Sequence, residues 1–95
     1  MSTANQVIDQ AASIFGVESK QLLTKSRELR YFYPRAVACY VLHRQLCLSS
    51  THVARLFNRS HATILHACRI CDDYLDNPVL NRPVAEAIEQ IRRTL

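Results

Sequence analysis

The stretch SSTHVARLFNRSHATILHACR, residues 49–69, decides the fold. Apolar residues recur in it at helical spacing: Val53, Ala54, Leu56 and Phe57 form one stripe, and Ile64, Leu65 and Cys68 begin a second that continues through Cys71 to Leu75. Between the stripes lie Asn58, Arg59 and Ser60, all residue types that favour turns or helix caps. Ser49 or Ser50 caps the first helix and Ser60 the second, because a serine Oγ can accept the backbone N–H groups that a helix start leaves unpaired. Two helices joined by a turn this short form a helix-turn-helix, placed at about residues 50–75. At about 100° per residue the second helix turns Ala62, Thr63, His66, Arg69 and Asp73 away from its apolar stripe. That polar face is short, donor-rich and basic at its N-terminal end.

The same periodicity extends in both directions. Upstream, a first helix starts at Ser2 or Thr3, buries Val7, Ile8, Ala11, Ala12, Ile14 and Phe15, and stops at Gly16; a short one follows over 18–23. Residues 24–33, TKSRELRYFY, read as a basic loop, and Pro34 is placed at the first position of a long third helix reaching about Leu46. Its stripe is Val37, Ala38, Val41, Leu42 and Leu46. Downstream, DNPVLNRP breaks the chain before a last helix from about Val84 to Leu95. No alternating Val, Ile and Thr pattern announces a strand, so the expected fold is all-α, a compact helical bundle in which residues 1–95 make a single domain.

Composition narrows the function. A chain of 95 residues that is 48% hydrophobic and 21% charged is a globular recipe of one-domain size. Its one glycine excludes the glycine-rich phosphate loops, each of which needs at least two. No acid pair, nucleophile constellation or metal box stands at a recognisable spacing, so no enzyme and no cofactor are expected. The first residues carry no basic n-region and no apolar run reaches the ~20 residues of a membrane span, which predicts a cytoplasmic, nucleoid-associated protein with reduced thiols. Cys68-x-x-Cys71 and Cys39-x-x-x-His43-x-x-x-Cys47 have metal-like spacing, but they lie mid-helix beside apolar stripes and are read as core, with no metal.

The net charge of +4 is unevenly distributed. Residues 20–69 hold nine basic side chains against Glu28 alone, a net of +8, while each flanking segment carries −2. Basic charge concentrated on a loop and a helix-turn-helix fits a phosphate-bearing partner. The aromatic run Tyr31, Phe32 and Tyr33 is read as packing the loop onto the core.

Residues 57–67, Phe-Asn-Arg-Ser-His-Ala-Thr-Ile-Leu-His-Ala, resemble the signature Phe-Gly-Gly-Arg-Asp-His-Thr-Thr-Val-x-His-Ala of the C-terminal DNA-binding domain of the bacterial replication initiator DnaA, with one turn glycine missing. LLTKSRELRYFYPRAVACYVL resembles that family's basic loop and the Pro-Arg pair at the start of its long helix. The resemblance runs from about Val7 to Leu95 and implies a Trp-repressor-like helical domain that reads duplex DNA, with a role in replication initiation or its regulation. It implies that Arg27 enters the minor groove and that Arg35 meets a groove or a phosphate. It further implies that Ser60, His61, Ala62, Thr63 and His66 are recognition-helix positions, with Lys25 and Arg59 near the backbone. Arg30 joins Lys25 and Arg59 as a phosphate-positioning cation on the same basic stretch. Ser60 stands where the family has a base-contacting aspartate, Ala62 where it has a threonine and Ala36 where it has a polar residue, so a different target sequence is expected. The family's nucleotide-binding module is absent from these residues. The alternatives are a transcriptional regulator of the Trp-repressor type and a protein-interaction module whose basic surface meets an acidic partner.

Overall fold

A computed structural model describes residues 3–25 and 28–95. Its described elements are α1 (Thr3–Phe15), α2 (Ser19–Leu22), α3 (Leu29–Tyr40) running into a π-helical turn (Val41–Gln45), α4 (Ser50–Phe57), α5 (His61–Asp76), a 3-10 turn (Pro78–Leu80) and α6 (Arg82–Thr94). No strand occurs among the described residues, as expected. Central α3 packs against α1 on one side and α5 on the other, while α6 closes the bundle against α1, α3 and α5. The radius of gyration is 11.8 Å, close to the ~12 Å of a compact chain of this length.

The core is made by the stripes named above. Val7, Ile8, Ala11 and Ala12 of α1 meet Val37, Ala38, Val41 and Leu42, and Val84, Ala87, Ile88 and Ile91 of α6 complete the same cluster. Ile14, Phe15, Leu46, Leu56 and Leu75 are half-buried at its margin. Leu65 is also only half-buried, whereas Ala67, outside the expected arc, is buried. Gly16 ends α1 at φ +71°, a backbone state that costs a side-chain-bearing residue energy.

The third helix departs from expectation. It starts at Leu29, with Glu28 at the N-cap position but making no side-chain capping bond, so half of the expected basic loop is helical and Pro34 lies at the sixth helical position. There the proline cannot donate to the Arg30 carbonyl, and a helix normally avoids that loss. Burial outweighs it: Pro34 is buried, and Tyr31, 6% exposed, takes a 2.9 Å hydrogen bond on its hydroxyl from Gln21 Nε2. Phe32 and Tyr33 pack edge to face at 5.3 Å, and Tyr33 lies 6.2 Å from Tyr74 of α5, so the aromatics do dock this segment onto the core. At the other end the helix widens into the π turn and stops at Cys47, φ +61°.

The helix-turn-helix is built as its sequence dictates. Ser49 Oγ accepts the His52 N–H at 3.0 Å, and Ser60 Oγ accepts the Thr63 N–H at 3.2 Å. Between them Asn58 adopts the left-handed conformation, φ 52° and ψ 48°, and the Arg59 N–H returns to the Ala54 carbonyl at 2.9 Å. Asparagine tolerates this conformation because its short amide offers local hydrogen bonds, whereas a β-branched residue does not. Replacing Asn58→Val is expected to lower unfolding free energy by ~1–2 kcal/mol, with Asn58→Gly costing little or nothing. Urea denaturation of the two variants beside the parent checks this.

Candidate nucleic-acid interface

The exposed face of α5 begins at its cap. Ser60 Oγ, besides accepting the Thr63 N–H, lies 2.8 Å from Thr63 Oγ1, so the two hydroxyls form a pair at the helix start. His61, Ala62, Thr63 and His66 are exposed, while Ile64, Ala67, Cys68 and Cys71 on the reverse side are buried. The structure thus brings all five expected recognition-helix positions onto one surface. His61 Nδ1 lies 2.6 Å from Ser50 Oγ, which ties the first residue of α5 to the first residue of α4. Free N–H groups at a helix start carry partial positive charge and favour anions. Arg69, one turn beyond His66, and Arg55 on α4 are exposed as well. Arg55 was not among the expected contacts; its place on the polar side of the α4 stripe was the available signal.

The basic residues upstream separate into two kinds. Lys25 is exposed. Arg27 lies outside the described residues. Arg30 is exposed but engaged, its Nε 2.6 Å from Glu28 Oε2 and its guanidinium 4.7 Å from the Tyr31 ring. Arg35 is 7% exposed, which does not match the expected groove or phosphate contact. Its Nε donates to the Leu22 carbonyl at 2.7 Å and its Nη2 to the Thr24 carbonyl at 3.2 Å. Burial, then the charge of nearby Arg59, lower the Arg35 pKa from its usual range. Arg59 Nη2 donates at 2.6 Å to the same Thr24 carbonyl. Thr24 itself is held to α2, since its Oγ1 donates to the Gln21 carbonyl at 2.8 Å. Two guanidinium groups, one from α3 and one from the helix-turn-helix, therefore converge on a single backbone oxygen at the start of the basic loop.

Comparison with known proteins agrees with this architecture. The family described as bacterial dnaA protein helix-turn-helix matches residues 4–70. The chain is 26% identical over 93 residues to "Chromosomal replication initiator protein DnaA 1" of Chlamydia trachomatis serovar D, covering 98% of this chain and 20% of that protein. It is 28% identical over 95 residues to "Chromosomal replication initiator protein DnaA" of Thermotoga maritima, covering 98% of this chain and 22% of that protein. A protein of the same name from Bacteroides fragilis is 32% identical over 68 residues, covering 70% of this chain and 14% of its own length. The chain thus spans about a fifth of the length of the first two relatives.

The cysteines lie behind the interface. Cys39, Cys68 and Cys71 are buried, Cys71 Sγ 3.5 Å from the Ala36 carbonyl, and Cys47 is exposed. Among the described residues no three His, Cys, Asp or Glu side chains form a group able to hold a metal ion, and no helix is long and apolar enough to cross a membrane. Burial raises all three buried thiols, Cys71 to about 12. In the unfolded chain a thiol ionises near ~8.5, so the folded state keeps protons that the unfolded state releases. The stability this represents is complete below that pH and is lost as pH rises toward the folded values. The unfolding free energy obtained from urea denaturation is therefore expected to fall between pH 8 and 10, by up to ~1.4 kcal/mol per pH unit for each of Cys39 and Cys71, and to keep that dependence in Cys47→Ser. At pH 8 a thiol-specific reagent is expected to modify one cysteine in the native protein, Cys47, and four after denaturation.

Proposed function

The chain belongs to the bacterial DnaA helix-turn-helix family, and from that premise we propose that it binds double-stranded DNA, with α5 in the major groove and the basic segment after α2 in the adjacent minor groove. One observation carries the reading: the exposed start of α5 collects Ser60, His61, Ala62, Thr63 and His66 beside exposed cations, with no other described element covering it. Thr63 and His66 lie one turn apart and supply the hydrogen-bonding groups that discriminate base edges, while Ala62 offers a methyl to a thymine. Lys25 and Arg30 serve phosphates, Arg30 by exchanging its exposed Glu28 partner, an exchange that costs little because exposed ion pairs are weak. Arg27 reads the minor groove, where a guanidinium is drawn to the negative potential of a narrow A·T-rich segment. The binding is sequence-specific and acts in replication initiation or its control. The chemistry is recognition alone; no residue here is assigned a catalytic role.

Selection from a pool of random duplexes tests the reading. The parent is expected to enrich one sequence class, and Arg27→Ala and His66→Ala are each expected to weaken binding to it by ~1–3 kcal/mol and to relax preference at different base positions. Enrichment profiles identical in all three proteins, or no enrichment by the parent, would refute it.

A further inference from the structure

The Thr24 carbonyl, gripped by Arg35 and Arg59, joins the parts of the molecule that the DNA reading assigns to two different grooves. We propose that Arg59 is a positioning residue and not a phosphate contact: together with Arg35 it fixes the start of the basic segment relative to the turn before α5, and so sets the register between the two readers.

Three observations support this. First, the hydrogen bond from Arg59 Nη2 to the Thr24 oxygen is 2.6 Å long and spans 35 positions of sequence, so it is a tertiary tie and not a local turn contact. A charged donor makes such a bond about twice as strong as a neutral one. Second, the same oxygen also receives Arg35 Nη2 at 3.2 Å, and Arg35 is buried and anchored a second time on the Leu22 carbonyl. The receiving carbonyl is thereby tied to α3, and Arg59 attaches the helix-turn-helix to that anchored point. Third, the two arginines stand at the open edge of the α3–α5 contact: a cleft of about 300 Å³ lies beside the clamp, with Arg35 and Arg59 in its wall together with Phe32 and Thr63. At that edge the link from the turn to the basic segment is polar.

Arg59 sits at the basic position just before the recognition helix, where a phosphate contact is the obvious assignment. The two roles differ in measurable ways. A phosphate contact weakens every duplex uniformly when removed and reduces the slope of log K against log[salt] by about 0.9. A positioning residue leaves that slope unchanged and changes base preference at positions that it does not touch.

The inference rests on the DNA-binding reading for its consequence but not for its geometry, and the test separates the two. Arg59→Met is expected to fold, since Arg59 is only half-buried and methionine keeps most of its apolar stem, and circular dichroism verifies this. In the free protein, amide exchange at Thr24, Lys25 and Glu28 should rise several-fold while exchange in α5 stays at the parent level. With the duplex selected by the parent, Arg59→Met should keep the parental salt slope and the preference at bases covered by α5. Preference at the flanking bases should fall by about tenfold. Lys25→Ala, as the phosphate control, should lower the slope by about 0.9 and leave preference intact. Unchanged exchange in the loop, or a lowered slope with intact flanking preference in Arg59→Met, would overturn the proposal while leaving DNA binding standing. Failure of the parent to bind any duplex would instead remove the DNA reading, and raised loop exchange would still support the clamp.

Discussion

One backbone oxygen organises the working face of this protein. The short helix α2 ends in carbonyl groups that have no partners within the helix. Arg35 satisfies Leu22, the last of them, and the Thr24 carbonyl just beyond is shared by Arg35 and Arg59. Placing two cations around one carbonyl is unfavourable in itself, and the lowered Arg35 pKa records both its burial and the charge of Arg59. The arrangement holds because guanidinium is weakly hydrated and always charged, so it tolerates partial burial where an ammonium would not. Through this oxygen α2, α3 and the helix-turn-helix are hydrogen-bonded to one another.

That constraint also explains how much the sequence revealed. Periodicity sufficed for α1, α4, α5 and α6, because each has a single apolar stripe, and the serine caps Ser49 and Ser60 added the starts of α4 and α5; α6 starts earlier than its stripe suggested, at Arg82, where the Asn81 side chain accepts the Val84 N–H. The start of α3 was illegible. A proline after a basic stretch reads as a helix beginning, and only the burial of Tyr31 and Pro34 against the rest of the fold carries the helix back to Leu29. The role of Arg35 was illegible for a different reason. Its partners are carbonyl groups of the chain, and a carbonyl is present at every residue, so no side-chain pattern marks the two that are used.

The charge partition was informative about location and misleading about number. Of the nine basic residues in residues 20–69, Arg35 and Arg59 hold the Thr24 carbonyl and Arg44 pairs with Asp72 at 3.0 Å, whereas the exposed pair of Arg30 with Glu28 is weak and leaves Arg30 open to exchange. Lys25, Arg55 and Arg69 are exposed cations for which no ion pair is described. An excess of positive charge in sequence thus divides between charge that steers an anion from a distance and charge spent on holding the protein together. Only the first kind releases counterions on binding.

The face proposed to read bases is made of short side chains. Thr63 and His66 have few rotatable bonds and little reach, and Ala62 has none, so in the proposed binding mode they touch base edges only when the backbone of α5 lies close to the groove floor. Long flexible arginines can tolerate an error in helix placement; threonine and alanine cannot. A face of this kind needs its helix fixed at both the turn and the loop, because a displacement of ~1 Å at the reading end is comparable to the tolerance of a hydrogen bond. The Ser50–His61 contact fixes α5 against α4, and the Arg59–Thr24 contact fixes the turn against the loop. On the proposed reading, the economy of the recognition side chains and the use of two arginines for positioning are parts of one solution, in which specificity moves from the reach of side chains to the frame that presents them.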